Sequence, residues 1–210
     1  ARFCPAGQTH PGGSVSRSPK NGDPGGAPSD ALPRVVSSRL VYEGKVVSLR
    51  VDEITLPWGS LAVREVVDHP GAVVIVALDD EDHVYLVRQY RHPIGRYLLE
   101  LPAGGLEPDE APLAAAKREL REEVGLEARD WRPLGSFFSS PGFANEVLHA
   151  FLARGLSSAQ GQPDDDEDIS VVRYPLTKLL EHPEECADAK TLAALLLLRR
   201  AADNSPRAGT

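Results

Sequence analysis

Residues 104 to 126 constrain this chain most. They read Gly104, five residues, Glu110, seven residues, then Arg118-Glu119-Leu120-Arg121-Glu122-Glu123-Val124-Gly125-Leu126. Leu113, Leu120 and Val124 recur at helical spacing, with Ala116 between them and the acids, which predicts an amphipathic helix. Asp109 is the expected N-cap, Pro112 fits the first turn, and Gly125 supplies a C-terminal stop. At about 100° per residue, Glu119, Glu122 and Glu123 share an arc beside the apolar stripe and are expected to converge on one point. Carboxylates three and four residues apart repel on an ordinary helix by a few tenths of a kcal/mol per pair, so helix propensity does not explain the cluster. A hard divalent cation does, because Mg²⁺ takes oxygen ligands and usually binds a few carboxylates, waters and substrate phosphates. Arg118, one turn before Glu122, is placed to brace that carboxylate. Taken alone, the cluster also fits a solvated helix with incidental glutamates; the full spacing decides between the two.

That spacing resembles the Nudix box at every defined position: a glycine, five residues, a glutamate, seven residues, then Arg-Glu-aliphatic-x-Glu-Glu-x-Gly-aliphatic. The resemblance implies an α/β fold, an α/β/α sandwich with a mixed sheet. It also implies Mg²⁺- or Mn²⁺-dependent hydrolysis of a nucleoside diphosphate linked to a further group, with two or more ions per site when substrate is bound. Pro141 lies fifteen residues beyond Leu126. That offset resembles the ADP-ribose pyrophosphatase group, whose members cleave ADP-ribose to AMP and ribose 5-phosphate. Another nucleoside diphosphate sugar or an oxidised nucleotide is the alternative substrate. A binding module that senses ADP-ribose without cleaving it is the alternative from a different class, although such a module would be expected to lack one of the helix glutamates.

The formal charge of −8 and sequence pI near 5.3 argue against a general nucleic-acid binder, which carries a basic footprint. The expected partner is a small nucleotide. Thr191 to Leu198 is too short an apolar run to cross a membrane, and nothing longer exists in the sequence. Cys4 and Cys186 are the only cysteines, which fits a reducing cytoplasm better than a disulfide framework. Arg2, Arg17 and Lys20 without acids faintly suggest a transit peptide, but no apolar core or amphipathic stripe accompanies them.

In chain order, residues 1–33 are rich in Gly, Pro and Ser and predict a disordered arm. Residues 34–70 predict a small antiparallel sheet of three strands, with a hairpin turn at Pro57-Trp58-Gly59-Ser60. By resemblance this sheet exchanges across a homodimer. Residues 71–202 form the expected catalytic domain, and 203–210 a fraying tail. Ala72 to Leu78 is continuously apolar, as a strand buried on both faces requires, and Val84 to Tyr90 predicts a second core strand. Trp131 to Ser139, Val147 to Leu152 and Ile169 to Tyr174 are further strands, and Thr177 to His182 and Asp188 to Ala202 predict helices.

Guanidinium groups clamp diphosphates bidentately, so Arg91, at the end of a core strand, is the favoured phosphate ligand, by resemblance to a Gln-x-Arg strand end. Arg64 matches a second substrate-contacting position. Gly104 allows close backbone approach to a phosphate. The resemblance makes the Ala103 carbonyl, Glu119, Glu122 and Glu123 the metal ligands, with Glu122 and Glu123 also counted as catalytic. Phe143 is a candidate to pack on a ribose and Glu146 to accept from its hydroxyls, each equally placed for a purely structural role. Glu167, in the acidic run 164–168, resembles the general base delivered by a loop; acidic runs are otherwise ordinary solvated segments.

Overall fold

A computed structural model of the chain describes residues 31–159 and 168–203. In chain order its strands are β1 (Arg34–Glu43), β2 (Ser48–Thr55), β3 (Leu61–Asp68), β4 (Ala72–Ala77), β5 (His83–Arg91), β6 (Arg96–Glu100), β7 (Ala103–Gly105), β8 (Leu126–Phe138), β9 (Val147–Ser158) and β10 (Ile169–Pro175). The helices are α1 (Pro112–Val124), α2 (Leu176–Glu181) and α3 (Ala189–Asp203).

All six residues of β4 are buried. Because side chains alternate along a strand, Val73, Ile75 and Ala77 face one way and Val74 and Val76 the other. The first set packs on Ala115, Ala116 and Leu120 of α1; the second packs with Ala194, Leu195 and Leu198 of α3. One strand thus serves two helices, which is why its sequence is an unbroken apolar run. Its sheet runs β7-β4-β9-β8, with β4 and β9 parallel and the other pairs antiparallel. A second sheet runs β10-β5-β6. The expected mixed-sheet sandwich is present.

The smaller sheet β1-β2-β3 is an antiparallel meander, also as expected. Gly59 turns its second hairpin with φ at +86°, and its N–H donates to Leu56 O at 2.8 Å. Phe143 and Asn145 clip β3 to the body: Val67 N–H donates to Phe143 O at 2.7 Å, and Asn145 N–H returns to Val67 O at 3.2 Å.

Three local expectations need correction. Asp109 does not cap α1; it adopts φ +61° in the preceding turn, and the helix starts from Ala111 with Pro112 at its first position. Pro112 fixes φ for that turn and lacks the donor that a cap would satisfy. Leu113 is 39% exposed, so the buried face of α1 is Ala115, Ala116, Leu120 and the two acids Glu119 and Glu123. β8 also begins earlier than expected, at Leu126, directly after Gly125 ends the helix with φ +71°.

Among the described residues no helix is long and apolar enough to cross a membrane. The expected N-terminal arm over residues 1–30 and the tail over 204–210 lie outside the described residues.

Candidate active site

The site begins where α1 lies against the short strand β7. A Cβ on Gly104 would fall 1.9 Å from Glu119 Oε1, so no other residue fits there without moving that carboxylate. One residue earlier, the Ala103 N–H donates to Glu123 Oε2 at 2.9 Å. Helical spacing puts Glu119 and Glu123 one turn apart, and β7 backs both of them. Both are buried, whereas Glu122 stands at the rim: its side chain is 40% exposed against 11% for Glu119.

Arg118 binds the cluster together. Its Nε and Nη2 hold Glu110 at 3.0 and 2.9 Å, Nη1 reaches Glu119 at 2.6 Å and Glu122 at 3.1 Å, and Nη2 also donates to Gly105 O at 3.0 Å. The brace on Glu122 is therefore present, as part of a larger clasp shared by three acids. Hydrogen bonds from Arg118 hold the Glu110 carboxyl below its ordinary range, and those to Glu110 first, then the field of Glu119, push Arg118 up.

The three helix acids do not close on a single point in this arrangement. Glu119 and Glu122 turn to Arg118 and Glu123 to the Ala103 amide, and among the described residues no three acidic, His or Cys groups stand close enough to hold a metal ion. The donor chemistry nonetheless suits a hard cation: three carboxylates beside a backbone strand, all oxygen.

Arg91, at the end of β5, reaches the same region and is already engaged. Its Nε and Nη2 donate to the two oxygens of Glu100 at 2.8 and 2.7 Å. That pairing raises Arg91 above its ordinary value, with the fields of Glu100, Glu123 and Asp188 adding to it, so Glu123 is an electrostatic neighbour of this guanidinium. Arg64 is not drawn in: it is exposed on β3 and donates to the Val63 carbonyl at 2.9 Å.

A second grouping carries the Pro141 loop. Phe143 is 59% exposed, and Glu146 Oε1 lies 3.5 Å from His69 Nδ1. His69 Nδ1 also accepts the Gly71 N–H at 3.1 Å, and Gly71 O accepts the Leu106 N–H at 3.0 Å just beyond β7. His69 and Gly71 therefore tie this loop to the strand that backs α1. Glu167 lies outside the described residues; its neighbour Asp168 accepts a hydrogen bond from the Tyr97 hydroxyl of β6.

The sequence profile of the NUDIX domain matches residues 68–203. The chain belongs to the Nudix family. It is 39% identical to the ADP-ribose pyrophosphatase of Bacillus subtilis and 38% identical to a methanol dehydrogenase activator of Bacillus methanolicus. Each match spans 170 residues, 79% of this chain and 92% of the relative. The solved structure of an ADP compounds hydrolase superposes with a TM-score of 0.75 at 27% identity, covering 86% of this chain and all of that one. Nudix pyrophosphatases generally use divalent metal ions, in keeping with the oxygen donors on α1.

Sequence reasoning missed Glu100, which is completely buried on β6. Its signal was available: one acid among Leu98, Leu99 and Leu101 is a buried charge that needs partners. It missed Asn145 as well, whose side chain accepts the His69 N–H at 2.9 Å and donates to Asp68 at 2.7 Å. No local pattern shows a pairing across so many intervening residues.

Proposed function

We propose that this Nudix chain hydrolyses the diphosphate of ADP-ribose to AMP and ribose 5-phosphate. The single observation that carries the reading is the seating of Glu119 over Gly104 and of Glu123 on the Ala103 amide, which fixes two buried carboxylates where the family's box puts its metal ligands. The substrate class rests on the Pro141 loop and on the Bacillus subtilis relative's activity.

In this reading Glu119, Glu122, Glu123 and the Ala103 carbonyl would hold Mg²⁺ or Mn²⁺, two or more ions with substrate bound. When bound, the metal supplies charge neutralisation at the diphosphate and a more acidic water. Arg91 would hold the phosphate oxygens, joined by Arg64 from the exposed face of β3, while Phe143 would pack on the ribose and Glu146 would accept from its hydroxyls. Gly104 leaves room for the close approach. A water oxygen bonds to one phosphorus as that phosphorus releases the bridging oxygen, and Glu167 takes the proton of the water.

The reading extends to assembly and place. Val35, Leu40, Leu61 and Val63 of the small sheet are each more than half exposed, which supports a homodimer built on that sheet. A cytoplasmic setting is supported by the cysteine usage.

The test is product analysis with Mg²⁺ over ADP-ribose, GDP-mannose, diadenosine polyphosphates and 8-oxo-dGTP. ADP-ribose should give AMP and ribose 5-phosphate with the highest kcat/KM. A clear preference for a triphosphate would refute the assignment, and binding of ADP-ribose without turnover would mark a sensing module.

A further inference from the structure

The buried acid Glu100 is served by two cations from opposite directions. Arg91 holds it bidentately, and Lys190 of α3 donates to its Oε2. Lys190 is tied down in turn by Asp188 at 3.0 Å, and all three of Glu100, Lys190 and Asp188 are more than four-fifths buried. Asp188 caps α3: its carbonyl accepts the Leu192 N–H at 3.1 Å, and its Oδ2 accepts the Thr191 N–H at 3.0 Å and hydroxyl at 2.7 Å. The Thr191 hydroxyl oxygen in turn accepts the Leu101 N–H at 2.9 Å. The first turn of α3 thus grips both the Glu100 side chain and the peptide that follows it, two residues before Ala103.

The charges explain why a lysine is needed there. Arg91 and Lys190 set two positive charges against the two negative charges of Glu100 and Asp188, so the fully buried Glu100 carboxylate is compensated. Burial pushes the Glu100 carboxyl up, and the bonds from Arg91 and the presence of Lys190 more than offset it, so it stays ionised. Without Lys190, Arg91 alone among the described cations of this network would face two buried acids, and it would be drawn toward them and away from a diphosphate.

We infer that Lys190, held by Asp188 and working through Glu100, is a positioning residue that keeps Arg91 aimed and electrostatically available for the substrate diphosphate. This rests on the reading of Arg91 as a phosphate ligand. Lys190 itself touches no substrate.

The test compares steady-state ADP-ribose hydrolysis by Lys190→Gln and Lys190→Arg, in the wild-type background and with Arg91→Ala. Lys190→Gln should raise KM about tenfold, the lower end for loss of a partner that orients a liganding group, with kcat little changed. Lys190→Arg should restore KM, and in the Arg91→Ala background Lys190→Gln should add nothing. The same KM factor in both backgrounds, or an effect confined to kcat or to the melting temperature, would overturn the inference. If Lys190→Gln does not fold, Glu100→Gln carries the same cycle, with a KM increase that must likewise vanish when Arg91 is absent. A wild type that does not turn over ADP-ribose, or an Arg91→Ala variant with normal KM, would instead sink the site reading beneath it.

Discussion

β4 and β1 are both rich in β-branched residues and were both legible as strands, yet one is the centre of the core and the other is exposed along its whole length. The difference lies in what the chain lays over them. β4 has α1 on one face and α3 on the other, while Val35, Val36, Leu40 and Val41 of β1 have no helix over them among the described residues. Apolar strand sequence therefore reports the backbone, and burial is decided by the connections. Buried charge follows one rule in both regions: in the small sheet Asp52 of β2 is buried because the Ser38 hydroxyl and Arg50 donate to it. The covered region tolerates Glu100, Glu119 and Glu123 inside because Arg91, Arg118, Lys190 and backbone amides meet them there.

The sharpest way to break this contrast is a matched pair of truncations. Ile75→Ala should cost about 2–5 kcal/mol, as deletion of a fully buried aliphatic does, whereas Leu40→Ala should change the urea-unfolding free energy of the protomer by under about 0.5 kcal/mol. If the proposed homodimer uses this sheet, Leu40→Asp should at the same time lower the sedimenting mass from two chains toward one. A stable dimer in Leu40→Asp would remove this face of β1 from the interface.

Gly104→Ala sharpens the comparison inside the covered region. Its Cβ displaces the Glu119 carboxylate, so kcat should fall by about 10- to 100-fold, while thermal melting shows a folded chain. Unchanged kcat would mean that the seating of Glu119 on β7 is incidental.

Acid should weaken the paired carboxylates of the covered region. Glu100 and Glu110 both lie below their ordinary value of 4.5, so each contributes stability that is complete above that pH and is lost as pH falls through the lowered folded value. The unfolding midpoint should therefore drop steeply below pH 4.5, and Glu100→Gln should flatten that limb. A midpoint indifferent to acid would contradict the buried pairing.

The smallest effect concerns Cys186, fully buried beneath α3 with its thiol pushed up to about 11, chiefly by burial. In a Cys4→Ser background, iodoacetamide should leave the folded chain unlabelled at pH 8 and label it once unfolded.

What the sequence revealed follows from range. The spacing of Gly104, Glu110, Arg118 and the three helix glutamates is local, so helix, stop glycine and family were all readable from it. The N-cap was misread because Asp109 and Pro112 both offered a start, and the proline prevailed. Arg91 was singled out for the substrate without its partner, because Glu100 meets it only through the side-chain geometry of the β5–β6 hairpin. Lys190 and Thr191 were invisible as site residues for a stronger reason: they lie ninety positions from the groups they hold. Arg118 was expected to brace Glu122 and also clasps Glu110 of the loop before the helix and Gly105 at the end of β7, contacts that helical periodicity does not describe.

In the proposed function the buried carboxylates backed by β7 would bind the metal and thereby carry the hydrolysis. Glu123→Gln tests it most directly, since the amide keeps the shape and removes the charge. Turnover of ADP-ribose and Mg²⁺ affinity by calorimetry should be measured on the same preparation. The account predicts that kcat falls by at least about 10³, or ~4 kcal/mol of barrier, and that Mg²⁺ binding weakens with it. Near-normal turnover with unchanged Mg²⁺ affinity would contradict it.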